Sequence, residues 1–250
     1  MPELRNAPLV EVVFEMKWGK TRQEGNELLL EFSQEEQTLM PGKLQLLAAD
    51  KGYNLLEVTS RQLAIPHIVK YRYRKGRNGY PILQLGNGVF TVNQIDFGDF
   101  EYKWETFLGD IEQGIKLFEK SYLADIKELP LIDVQLRYTD VILAENDESI
   151  LSFINNKLNI GILQLPEQLL GNENIVTDSQ SGSIALQVGC KKPEGQIIFK
   201  INQGKKDGKK AFILDFITIS SANIFANITQ ETIVKWCIDA HKHHSDIFHA

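Results

Sequence analysis

The residues best suited to chemistry crowd the end of the chain, where "WCIDAHKHHSDIFHA" (236–250) sets four histidines within nine residues. On a helix Cys237, His241 and His244 fall at i−4, i and i+3, so they share a face and could ligate a transition metal. No carboxylate–histidine pair upstream completes such a set. The run therefore reads as a solvated polar face, and no metal is assigned. Nucleophile and phosphate motifs are missing too: the chain has no Gly-x-Ser-x-Gly, His-Glu-x-x-His or Gly-x-x-x-x-Gly-Lys. "GNG" (86–88) is a turn and not a dinucleotide loop, because alternating strand residues follow it where a helix would be needed. His67, beside Pro66 at a strand entrance, reads as structural. No catalytic residue and no cofactor is assigned, and the balance leans away from an enzyme.

Two basic segments make a case for nucleic acid. Residues 70–77, "KYRYRKGR", hold five cations and no acid, with Arg72 and Arg74 alternating with Tyr71 and Tyr73, followed by Lys75 and Arg77. Residues 191–210 hold seven cations and two acids, and Lys205, Lys206, Lys209 and Lys210 read as a hairpin tip. Both segments are +5 against a total of −6, so the rest of the chain carries −16. Such tips could contact phosphates with strong salt dependence, or they could simply keep strand edges from aggregating. The acidic body argues against general nucleic-acid affinity.

The elements that must position these residues follow from hydrophobic period. Val10, Val12, Phe14, Met16 and Trp18 alternate with mostly polar residues and predict a half-buried strand. Leu28, Leu29, Phe32 and Leu39 suggest an amphipathic helix ending near Pro41-Gly42. Strands are expected near 53–59, 66–75, 79–86 and 89–95, with Asn87-Gly88 as a hairpin turn. A helix follows over 101–122. The second half begins with "PLIDVQLRYTDVILA", then a helix in "DESILSFINNKL" capped by Asn146 or Asp147. An irregular stretch, 159–181, leads to strands near 182–190, 195–203 and 210–220. A helix from about Thr229 closes the chain.

Strand, helix, strands, helix thus occurs twice. "APLVEVVFEMKW" and "LPLIDVQLRYTD" lie 122 positions apart, and the same offset sets Phe90 against Phe212 and Ile95 against Ile217. We read an internal duplication, 1–125 and 126–250, folded as one continuous pseudo-twofold domain. The expected class is α+β: an antiparallel sheet with helices on one face, resembling the saddle of the TATA-binding protein and related helix-grip folds. The open face would then present Glu11, Glu15, Lys17, Asp133, Gln135 and Arg137 near the pseudo-twofold, joined by Asn93 and Asp215. Mixed charge there suits a ligand or peptide cleft better than a minor-groove saddle.

Two cysteines cannot make a disulfide framework, and no apolar run is long enough to span a membrane. A cytoplasmic protein is expected. Five stretches in order, "NAPLVEVVFEMKW" (6–18), "LQLGNGVFTVN" (83–93), "YKWETF" (102–107), "LRYTDVIL" (136–143) and "VKWCIDAHKHHSDIF" (234–248), resemble a sporadically distributed prokaryotic family of uncharacterised proteins. That family often has Asn where this chain has Asp140, and its members usually continue a little past the final helix. The resemblance implies no activity, cofactor or catalytic residue. Its patchy occurrence is similar to that of defence or toxin–antitoxin accessory genes. The expectation is a non-catalytic binding or adaptor protein with a protein partner. The alternatives are an RNA- or DNA-binding protein using the basic tips and a small-molecule or metal-dependent enzyme.

Overall fold

Period-2 alternation in "LVEVVFEMKW" puts Val12, Phe14, Met16 and Trp18 on one side of strand β1 (Leu9–Trp18), where all four are buried. A computed structural model describes residues 9–24, 27–59, 65–95, 102–145, 148–158, 183–221, 224–225 and 227–248. β1 is followed by a hairpin of β2 (Lys20–Glu24) and β3 (Glu27–Glu31), then by helix α1 (Gln34–Ala49). Next come β4 (Leu55–Val58), β5 (Val69–Arg74), β6 (Ile82–Gly86), β7 (Val89–Ile95) and α2 (Trp104–Ser121). The second half holds β8 (Leu131–Leu143), α3 (Ile150–Lys157), β9 (Ser183–Lys191), β10 (Glu194–Lys206), β11 (Lys209–Ser220) and α4 (Gln230–Phe248).

Nine strands form one antiparallel sheet in the order β4-β5-β6-β7-β1-β8-β11-β10-β9. β1 and β8, the strands that follow the two Pro-Leu pairs, are neighbours at its centre, with Phe14 opposite Leu136 and Met16 opposite Val134. The described helices lie on one face. α1 meets β5, where the Tyr73 hydroxyl donates to the Pro41 carbonyl (2.9 Å). α2 covers β7, with Phe118 5.2 Å from Phe90 between ring centres. α4 lies over β8, and α3 over β11, where Phe153 stacks on Phe212 at 4.3 Å. The class is therefore α+β, with an antiparallel sheet and helical cover.

The first helix differs from the sequence expectation. Leu28 and Leu29 belong to strand β3, and the helix begins only at Gln34, where Ser33 and Glu36 form a reciprocal capping box (3.1 and 2.8 Å). It then runs through Pro41 to Ala49, because Met40, Leu44 and Ala48 supply a buried stripe at helical spacing. Ser149 caps α3 through the Ser152 amide (3.1 Å). Asn146, Asp147 and the stretch 159–181 lie outside the described residues. The closing helix starts where the sequence puts it, with Thr229 accepting from the Thr232 amide (3.2 Å). Among the described residues no helix is long and apolar enough to cross a membrane.

Candidate functional site

The alternation that buries Phe14 and Leu136 must turn their neighbours to the sheet's other face, opposite the described helices. Registers place all eight face residues read from the sequence there: Glu11, Glu15 and Lys17 on β1, Asn93 on β7, Asp133, Gln135 and Arg137 on β8, and Asp215 on β11. Glu11 is their hub. Its carboxylate accepts from Asn93 Nδ2 (3.3 Å) and from Arg137 Nη2 (3.2 Å), tying three strands together. Lys17 pairs with Glu15 (2.8 Å), and Gln135 donates to Asp133 (2.9 Å). Asp215 accepts from Thr139 (2.7 Å) and faces Lys200 across the β10–β11 pair.

Three residues that sequence reasoning does not single out extend this face: Thr139, Thr91, which donates to Asn93 Oδ1 (2.7 Å), and Gln84, directly opposite Thr91. Their signal is present in the alternation of "ILQLG" and "VFTVN". The face is not a plain solvated surface at this end. Gln84, Thr91 and Asn93 retain only 8%, 3% and 8% of their exposure. Polar side chains at that depth need partners, and the Thr91–Asn93–Glu11–Arg137 chain provides them for three strands.

The first basic segment does not form a free tip. β5 lies inside the sheet, with β4 beyond it. Tyr71 and Tyr73 turn to the helical side, where Tyr73 is fully buried, so they cannot stack on bases. Arg74 pairs with Glu57 (3.0 Å) and lies over the Tyr80 ring at 5.7 Å, while Lys75 lies 5.0 Å over Tyr53. Arg77 is exposed in the following turn. The second segment is a tip: Asp207 and Gly208 both take positive φ (51° and 78°), as a tight hairpin requires. Lys205 opposes Lys210, and Lys206 opposes Lys209. β5 and β10 are six strand spacings apart, about 29 Å at the usual 4.8 Å, so the two segments make no single basic surface.

His241 and His244 do not form a solvated face. His241 stacks on Trp104 at 3.9 Å, and its Nδ1 lies 2.7 Å from the Tyr138 hydroxyl. His244 stacks on Tyr138 at 3.7 Å, and Cys237 is buried, which pushes its thiol pKa up. These three side chains fill the gap between α4 and β8. Among the described residues no three His, Cys, Asp or Glu groups are placed to hold a metal ion. Two residues beyond Tyr138 on the same strand face, Asp140 is 3% exposed and its Oδ2 lacks a partner. Burial, with a smaller contribution from Asp215, lifts its pKa to about 7.

A cleft of about 730 Å³ opens elsewhere, at the start of α1, lined among others by Trp18, Phe32, Glu36, Tyr122 and Pro130. Burial and the nearby Glu36 push the Tyr122 hydroxyl up to about 12. Compared with protein-family models, with curated proteins and with solved structures, the chain finds no match.

Proposed function

We propose that this chain is a non-catalytic binding or adaptor protein that receives a partner on the sheet face opposite its described helices, around Glu11 and Arg137. The observation that carries the reading is the hydrogen-bonded chain Thr91–Asn93–Glu11–Arg137, which crosses β7, β1 and β8 on the face opposite the described helices. A pseudo-twofold duplication, in the manner of the TATA-binding-protein saddle, belongs to the same reading. It is supported by the central β1–β8 pair and by the outward order β7, β6, β5 on one side and β11, β10, β9 on the other. The mixed charge of Glu11, Glu15, Lys17, Asp133, Arg137 and Asp215 favours a protein surface over nucleic acid. A cytoplasmic accessory of a prokaryotic defence or toxin–antitoxin module is the setting that the family resemblance suggests. The test compares proteins retained by the wild type with those retained by a Glu11→Lys/Arg137→Glu variant of equal stability. A specific partner lost by that variant, but kept by Lys205→Glu/Lys206→Glu, supports the reading; identical retention by all three refutes it.

One observation favours nucleic acid as a second reading. Lys205/Lys210 and Lys206/Lys209 set like charges directly opposite each other at a hairpin tip, an arrangement that costs stability and suits a polyanion. Anisotropy titrations of RNA and DNA probes at two salt concentrations test it. Binding that ignores salt, or survives Lys205→Glu/Lys206→Glu, rules it out.

A further inference from the structure

On the sheet face opposite the described helices, Arg72 makes no ion pair with a described residue. Arg72 of β5 lies between Glu57 of β4 and Gln84 of β6 in the cross-strand register. Glu57 is the natural partner by position, yet it pairs with Arg74, whose Nε lies 3.0 Å from Glu57 Oε2. No other described acid pairs with Arg72. The side chain is half-buried, and its Nε is shielded from solvent without a hydrogen-bond acceptor. Leaving a guanidinium partly desolvated and unpaired is costly, because burial removes hydration that nothing replaces.

Its other neighbour explains what could fill the gap. Gln84 lies directly across from Arg72 and is 8% exposed, and its amide bonds to no described side chain around it, whereas Thr91 and Asn93 beyond it bond to each other. Directly opposed side chains on one sheet face start roughly 5 Å apart, so the guanidinium fork and the Gln84 amide can reach one group together. Both are donors to an oxygen, one charged and one neutral, and no carboxylate stands between them. Arginine's planar fork matches phosphate and carboxylate oxygens in pairs.

We propose that Arg72 and Gln84 form an oxyanion-binding pair that takes the phosphate or carboxylate group of a small ligand bound on this face. The inference rests on the reading of the face as a binding surface, but it uses β5 and β6, not the Glu11–Arg137 hub. The test is thermal unfolding of the full chain in chloride, in inorganic phosphate and in succinate at matched ionic strength. Phosphate also stabilises proteins by exclusion from their surface, so the quantity read is the wild-type shift minus that of Arg72→Gln.

The expected result is a rise of several degrees in wild type that Arg72→Gln lacks and Arg74→Gln keeps. In chloride, Arg72→Gln should unfold no lower than wild type. The larger shift, phosphate or succinate, names the source of the oxyanion. Equal shifts in wild type and Arg72→Gln overturn the proposal, as does the absence of any shift. If Arg72→Gln does not fold, Gln84→Leu replaces it: a reduced shift supports the pair and an unchanged one overturns it. Loss of the oxyanion effect alongside intact dependence on Glu11 and Arg137 for partner retention would remove this inference and leave the binding surface standing.

Discussion

Replacing Asp140 by Asn probes the one carboxyl, among the described residues, that the fold buries under its helices. Its pKa stands near 7 against an ordinary 3.8, chiefly because burial penalises the charged form. Between those values the unfolded chain has lost the proton while the folded chain keeps it. Stability should therefore fall as pH rises from about 4 to about 7 and stay low above that. The full interval is worth about 4 kcal/mol at 1.36 kcal/mol per pH unit. The window from pH 5 to pH 8 holds about 2.5 kcal/mol of it by the same relation. The amide in Asp140→Asn does not titrate, so whatever it costs is the same at both pH values, and the change in the difference isolates the carboxyl. Histidines ionise in the same interval, which is why variant and wild type are compared at each pH. Urea unfolding of both proteins at pH 5 and pH 8 measures it. The variant should gain about 2.5 kcal/mol on wild type between the two, or about 5–10 °C in Tm for a chain of this size. A difference that stays constant with pH would show that Asp140 ionises as an ordinary carboxyl, and the account of its burial would be wrong.

Phe153→Ala should cost about 3–5 kcal/mol by opening a cavity against Phe212, read as a drop in the urea midpoint; a change below about 1 kcal/mol would show that α3 does not anchor there. Gly88→Ala should cost about 2 kcal/mol or more, since Gly88 sits at φ +68° with its would-be Cβ against the Trp18 carbonyl and the Phe32 ring. Calorimetry showing no loss would mean that the turn can move. Lys205→Glu/Lys206→Glu turns two like-charge cross-strand pairs into opposite-charge ones, so Tm should rise slightly at low salt and the gain should shrink as salt is added. A lowered Tm would assign these lysines a structural partner.

The strands with strict period-2 patterns are legible from the residues: β1, β7, β8 and β11 run close to where the alternation puts them, and all eight face residues fall on one side. Asn87-Gly88 marks its hairpin because only a residue free to take positive φ fits there. Where the sequence misleads, the reasons are physical. Leu28, Leu29 and Phe32 have helical spacing, but the cap that starts the helix is Ser33 with Glu36, and that local bond outweighs the period. The histidine face reads as solvated because the sequence cannot say that Tyr138 and Trp104 from two other elements cover it. In the sequence Arg72 is one of five equivalent cations. Its isolation depends on Glu57 choosing Arg74, a decision made by strand pairing and side-chain geometry.

The two faces of the sheet differ in a way that burial alone does not require. On the helical side one cross-strand row reads Tyr73, Leu83, Val92, Phe14 and Leu136, all within 1% of full burial. The adjacent row on the other side reads Glu57, Arg72, Gln84, Thr91, Glu15 and Gln135 across six strands. A sheet face meant only for water leaves its polar side chains in water, since shielding them forfeits hydration. Here Gln84, Thr91 and Asn93 each keep 8% exposure or less, and Arg72 is shielded at its Nε. Part of that cost is offset by bonds within the face, and at Arg72 Nε it is not. Shielded donors without acceptors stand on this face at Arg72 Nε and Arg137 Nε; such burial destabilises locally, and that is the condition under which a bound oxyanion would stabilise the fold as well as occupy it.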